Sequence, residues 1–139
     1  MTDAPSTVVI GRGVIGLSCA WQLARTGRHQ VTVVGPDPLP HSAASYVGAG
    51  MLAPVTEAQF GEAALTAVNL DSAARWKDFA TTLEAETGLD IGYDESGTLT
   101  VALDTSDRAT LDDLLSYQHS LGLTAHRRTA SACRTIVPG

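Results

Sequence analysis

Gly11-Arg12-Gly13-Val14-Ile15-Gly16 sets three glycines at the spacing that lets backbone N–H groups cradle a dinucleotide pyrophosphate. Phosphate held this way needs donors with no side chain in the way and the positive end of a helix dipole. Each glycine has its own task. Gly11 permits the tight turn, Gly13 the close approach of backbone to phosphate, and Gly16 the close packing of helix on sheet. The pattern alone is weak evidence, because a glycine-rich turn in an ordinary α/β protein has the same composition.

The elements around it decide. Val8-Val9-Ile10 is a strand that runs straight into the turn, and Leu17 to Ala24 continues as a helix. Ala20 repeats the small face one turn on, Leu23 supplies a core contact, and Gly27 can end the helix. Val31-Thr32-Val33-Val34 then reads as a second strand, which completes a short βαβ beginning. One position departs from the pattern. At the end of the second strand an acid normally accepts the adenosine ribose hydroxyl, and Gly35 stands there. Asp37 lies two residues on, beyond Pro36, so either Asp37 substitutes from the loop or the contact is lost. Weaker binding is expected rather than a different cofactor, since Arg12 and Arg28 are poor candidates for reading a 2′-phosphate.

Composition narrows the classes further. The chain has 139 residues, enough for one domain with a core, and a net charge of −6 with both signs scattered. Nothing in it invites nucleic acid or an anionic membrane. The N-terminus carries Asp3 without a basic cluster, and the glycines interrupt the apolar stretch. No signal peptide or membrane span is therefore expected, and the cytoplasm is the expected compartment. Cys19 and Cys133 lack a metal-ligand spacing, and Cys19 is expected to pack as a small apolar residue. His29, His41, His119 and His126 are isolated from one another. No Ser-His-Asp set and no carboxylate pair emerges.

Beyond the second strand, Gly35 to Pro40 is too proline-rich for a helix or a central strand. The small-residue run Ser42 to Pro54 follows, and on composition alone it reads as a flexible loop. A helix is expected from about Glu62 to Thr87, ended by Gly88, with Leu65, Val68, Trp76, Phe79 and Leu83 on one stripe. Ile91-Gly92-Tyr93 and Thr98 to Leu103 flank Asp94-Glu95-Ser96-Gly97 as a hairpin signal. Ser106-Asp107 can cap a helix that carries Leu111, Leu114, Leu115 and Gln118 and stops at Gly122. A short strand near Leu123–Arg127 and a last helical turn capped by Thr129 or Ser131, running through Ile136, complete the expectations.

The glycine turn, the run Ala44-Ser45 to Ala49-Gly50-Met51-Leu52, and the later Ser96-Gly97-Thr98-Leu99 together resemble the N-terminal part of the D-amino-acid oxidase family of FAD-dependent oxidases. The likeness is greatest to glycine oxidases of thiamine biosynthesis, the ThiO type. It spans essentially the whole chain but only about the first third of such an enzyme. The resemblance implies FAD as cofactor, with pyrophosphate contacts at Gly11, Gly13, Val14, Ile15 and Gly16. It also implies that Ala44 and Ser45 approach the phosphates, and that Ala49, Gly50 and Met51 pass beside the isoalloxazine ring. The small-residue run thereby becomes a flavin cradle instead of a linker. Gly35 falls where the family has its acidic ribose ligand, while Arg12 replaces a glycine at a position that tolerates side chains.

The implied fold class is α/β: an FAD-binding Rossmann-type βαβ start with the beginning of a mixed-sheet substrate domain, truncated. Residues 1–87 are assigned to the FAD-binding part and 88–139 to the incomplete start of the substrate domain. The implied activity is oxidative deamination of glycine or a small amine with O2, giving imine or glyoxylate, ammonia and H2O2. Such chemistry belongs mainly to the cofactor, which accounts for the missing acid–base pair. The family's substrate-binding Arg is expected beyond Gly139, so no catalytic residue is assigned. The chain by itself is expected to bind FAD weakly if at all and to aggregate through uncovered strands. The expected partners are a small amine or amino-acid substrate and, as a candidate, a complementing C-terminal half. Two other readings stay open: an inactive remnant or one half of a split enzyme, and an NAD(P)-binding Rossmann protein, which needs the glycine turn but not the Ala-Gly-Met-Leu run.

Overall fold

Two parallel strands and the helix between them form the first element of the computed structural model. It describes residues 4–38 and 40–138; Met1 to Asp3, Leu39 and Gly139, and with them the expectation placed on Asp3, lie outside the described residues. The chain divides into two compact units, Met1–Met51 and Leu52–Gly139.

In the first unit, β1 (Ser6–Ile10) leads through the glycine turn into α1 (Val14–Arg25) and on to β2 (Gln30–Val34). β1 and β2 pair in parallel, with Val8 opposite Thr32 and Ile10 opposite Val34. The ladder continues one step past β1, where Gly11 N–H donates to the Val34 carbonyl at 2.8 Å. The period-2 burial of both strands follows from α1 covering one face only. Thr7, Val9, Val31 and Val33 line the covered face, while Ile10 on the other is 87% exposed. Strands of a parallel sheet are normally covered on both faces, so the expected uncovered apolar surface is present. Helix α1 ends as expected, with Gly27 in the left-handed region at φ +64 and its N–H on the Ala24 carbonyl. Cys19 does not pack: it is exposed, off the face through which buried Ala20 and half-buried Gly16 and Leu23 meet the sheet.

A four-residue helix, α2 (Ala44–Val47), sits inside the small-residue run, with His41 stacked on Tyr46 at 4.5 Å between ring centroids.

The second unit is helical. α3 (Ala63–Thr87) stops at Gly88, which takes φ +69, as the sequence predicts. Its expected stripe is only partly used. Trp76, Phe79 and Leu83 are half-buried, but Leu65 and Val68 are exposed, and the buried positions are Thr66 and Ala80. α4 (Thr105–Ser120) is capped by Asp104, not by Ser106 or Asp107. The Asp104 carboxylate accepts from Asp107 N–H at 2.8 Å, and the Asp107 carboxylate accepts from Leu103 N–H at 3.0 Å. The spacing is that of a capping box, but the return bond reaches the N–H of Leu103, one residue before the cap, instead of that of Asp104. α5 (Ala130–Ile136) is capped by the Thr129 hydroxyl, which accepts from Ala132 N–H. Buried Gln118 donates its amide to the Val55 carbonyl at 2.7 Å, and Phe60 packs on Tyr117.

The expected hairpin is not formed, and neither is the strand near Leu123–Arg127; β1 and β2 make the only sheet among the described residues. The turn itself is present, since Asp94 Oδ1 accepts from Ser96 N–H at 2.8 Å. Its first arm lies instead along α3: Ile91 N–H donates to Glu84 Oε1, Tyr93 stacks on Trp76, and Lys77 pairs with Glu95 at 2.9 Å. An isolated two-stranded hairpin is marginal without a further strand or a helix across its face. The apolar residues of the second arm are correspondingly open, with Val101 and Leu103 exposed.

Candidate cofactor site

The turn between β1 and α1 brings Gly11, Gly13, Val14, Ile15 and Gly16 together, as the sequence predicts. Gly11 takes φ +115, a conformation that side chains resist, and this is what swings the chain out of the strand. A Cβ on Gly16 would strike the Gly11 carbonyl oxygen and lie 3.0 Å from its carbon, so the helix can sit this close to the strand only with glycine there. Gly13 is the N-cap of α1, extended at φ −73 and ψ 175. Any residue adopts that conformation, so the reason for glycine is space. A Cβ would come 3.0 Å from Ser45 Oγ.

Ser45 is the residue through which the small-residue run reaches the turn. Its Oγ accepts a hydrogen bond from Val14 N–H at 2.9 Å. The first N–H groups of a helix have no partner within the helix, and an anion or an oxygen must satisfy them. The Ser45 hydroxyl stands here as the neutral acceptor at the position where a phosphate oxygen is favoured. No acidic residue occupies the first turn of α1 to repel one. Ala44 opens α2 directly before Ser45. Ala49, Gly50 and Met51 follow in irregular backbone, with Gly50 at φ +72 and Met51 exposed. The glycine geometry and the α1 N-terminus, where only a neutral hydroxyl sits on Val14 N–H, fit the pyrophosphate of a dinucleotide cofactor.

The strand end beyond β2 has a different construction. Arg12 lies across Gly35: a Cβ at 35 would meet Arg12 Cγ at 2.9 Å and its backbone nitrogen at 3.1 Å. Arg12 Nη1 donates to the Pro36 carbonyl at 3.0 Å and pairs with Asp37 Oδ1 at 2.7 Å. The sequence offers both residues singly as departures from the pattern. Their contact could not be read there, because it depends on how the turn folds over the strand end.

The isolated histidines have local tasks. His29 Nδ1 meets the Thr7 hydroxyl at 3.0 Å, and His119 Nε2 meets the Ala125 carbonyl at 2.9 Å. Among the described residues no His, Cys, Asp or Glu cluster could hold a metal, and no helix is long and apolar enough to cross a membrane.

Strand, glycine turn, helix and parallel second strand make a βαβ beginning, and comparison with known proteins gives the family. Residues 6–139 match the FAD dependent oxidoreductase family, and the chain belongs to it. It is 34% identical over 131 residues to a bifunctional ThiO/ThiG protein of Synechocystis sp., covering 88% of this chain and 20% of that protein. A glycine oxidase of Geobacillus kaustophilus is 34% identical over 120 residues, or 86% of this chain and 29% of the relative. A subunit of the opine oxidase of Agrobacterium tumefaciens is 36% identical over 101 residues, covering 68% of this chain and 25% of that relative. The chain thus spans between a fifth and three tenths of the length of these relatives. No solved structure matches it.

Proposed function

We propose that this chain is the N-terminal, cofactor-gripping segment of an FAD-dependent oxidase that acts on an amine carbon, with glycine or another small amine as the donor. The observation that carries the reading is the side-chain-free turn of Gly11, Gly13 and Gly16 at the start of α1 with the Ser45 hydroxyl on Val14 N–H. Membership of the family and the likeness to proteins named ThiO/ThiG and glycine oxidase support it. Thiamine thiazole biosynthesis is the pathway that the ThiO-type likeness implies.

In this reading Gly11, Gly13, Val14, Ile15 and Gly16 bind the pyrophosphate through backbone N–H groups and the α1 dipole. Ala44 and Ser45 close over the same phosphates, with Ser45 exchanging its bond to Val14 for one to phosphate oxygen. Ala49 and Gly50 bring open backbone, and Met51 an exposed thioether side chain, beside the flavin ring. When bound, FAD supplies the hydride-accepting redox chemistry, and the protein's part is to hold and orient. Residues 1–87 belong to the FAD-binding part and 88–139 to the start of the substrate domain. The site residues of this chain grip cofactor and none is assigned to catalysis.

The test is expression with added FAD, followed by the flavin absorbance of the purified protein and a peroxide assay with glycine. Weak flavin binding without peroxide is the expected result for this chain. Saturable binding of NAD(P) in place of flavin would overturn the reading.

A further inference from the structure

The two departures from the dinucleotide pattern, Arg12 and Gly35, are in contact, and together they point to a relocated acid. We propose that Asp37, held by Arg12, accepts the adenosine ribose hydroxyls of the cofactor in place of the acid missing at residue 35. The proposal rests on the FAD reading above and adds to it the group that reads the adenosine end.

The steric argument comes first. An acidic side chain at residue 35 would begin from a Cβ lying 2.9 Å from Arg12 Cγ, 3.1 Å from Arg12 N and 3.3 Å from Arg12 Cβ. Arg12 takes its path over the strand end only because residue 35 has no Cβ. The arginine and the glycine are therefore sterically coupled.

The second argument is where the arginine leads. Its Nη1 donates to the Pro36 carbonyl at 3.0 Å and to Asp37 Oδ1 at 2.7 Å, so the guanidinium folds the segment after β2 around itself. The Arg12 side chain is only 32% exposed, whereas that of Asp37 is 77% exposed. The carboxylate is thus anchored on its protein side and open on its solvent side. A carboxylate offers about four acceptor sites on its two oxygens, and Arg12 engages it at Oδ1. Ligands of open α/β sheets lie outside the carboxyl ends of the strands, and Asp37 stands three residues past Val34 at that end of β2. The guanidinium also offsets the charge that a lone carboxylate would direct at a pyrophosphate on the neighbouring turn.

The test is a ligand-by-variant comparison on the full 139-residue chain, read as dissociation constants from flavin fluorescence and from competition. FMN lacks the adenosine, and 2′-deoxy- and 3′-deoxy-ADP each lack one ribose hydroxyl that ADP carries. Asp37→Asn should weaken FAD by about tenfold, the scale of one charge-assisted hydrogen bond, and leave FMN unchanged. The wild-type chain should prefer ADP to at least one deoxy analogue, and Asp37→Asn should lose that preference. Arg12→Ala should weaken FAD by a smaller factor, about threefold, with Arg12→Lys in between. The proposal is overturned if Asp37→Asn leaves FAD affinity within about twofold, tightens it, or weakens FAD and FMN alike. It is overturned equally if the preference for ADP survives the substitution. A wild-type chain that binds NAD(P) saturably in place of flavin would instead overturn the FAD reading beneath it.

Discussion

The units Met1–Met51 and Leu52–Gly139 are held by different means. In the first, backbone meets backbone: Gly16 lies against the Gly11 carbonyl, and the strand ladder runs on into the turn through Gly11. In the second, side chains do the packing, through Gln118 on Val55, Phe60 on Tyr117, and Trp76 between Phe79 and Tyr93. A grip on phosphate needs the first kind of construction. N–H groups reach an anion only where side chains have been removed, and the geometry then tolerates almost no added atom. A helical scaffold tolerates more, because a flexible side chain moves aside at modest cost.

That contrast can be broken at its strongest point by Gly16→Val. Its Cβ would occupy the space of the Gly11 carbonyl, so α1 must leave the sheet. Loss of about 1–3 kcal/mol or more is expected, seen as collapse of the first unit in thermal unfolding and as abolished FAD binding. In the second unit Gln118→Leu should cost about 0.5–1.5 kcal/mol, because it removes the long-range donor to the half-buried Val55 carbonyl, which keeps only the longer bond from Ala58 N–H. Chemical denaturation should detect it, with FAD affinity unchanged. Ser45→Ala sharpens the comparison. It removes an exposed long-range acceptor from Val14 N–H and should lower stability by about 0.5–1.5 kcal/mol in chemical denaturation.

The smallest effect belongs to the ion pair of Lys77 with Glu95. The hydrogen bond and charge of Glu95 raise the Lys77 ammonium above its usual pKa of 10.5. A raised lysine stabilises the fold below its unfolded pKa, and that contribution disappears as pH rises through the folded value. Both side chains are mostly exposed, so solvent screens the pair. Lys77→Met should leave the unfolding midpoint unchanged at neutral pH and at alkaline pH alike.

The same contrast explains how much was legible in the amino-acid order. Glycines that take positive φ or exclude a Cβ mark their positions without help from the rest of the fold. For this reason β1, α1, β2 and the stop at Gly88 fall where the periodicity and punctuation put them. The Asp104 cap was within reach, since Asp104 and Asp107 have capping-box spacing, but Ser106-Asp107 offered an equally good local signal. The hairpin at 91–103 carried a correct turn and failed as a pair, because pairing depends on a third strand or a covering helix that local sequence does not specify. Cys19 had the composition of a core residue and lies off the packed face of α1. The coupling of Arg12 to Gly35 and Asp37 is a contact across 23 to 25 positions of chain, and no pattern along the sequence displays it.

The most direct measurement of the central claim is an FAD titration of the wild-type chain beside Gly13→Ala. Gly13 has ordinary extended backbone, so alanine fits without strain, and its Cβ meets only the movable Ser45 hydroxyl. The fold should survive, with a circular dichroism spectrum and unfolding midpoint close to those of wild type. FAD binding, weak but saturable in the wild-type chain, should fall by about tenfold or more as the Cβ enters the phosphate approach. Equal FAD affinity in the two proteins would contradict the account, because the pyrophosphate would then lie somewhere other than the turn at Gly11 to Gly16.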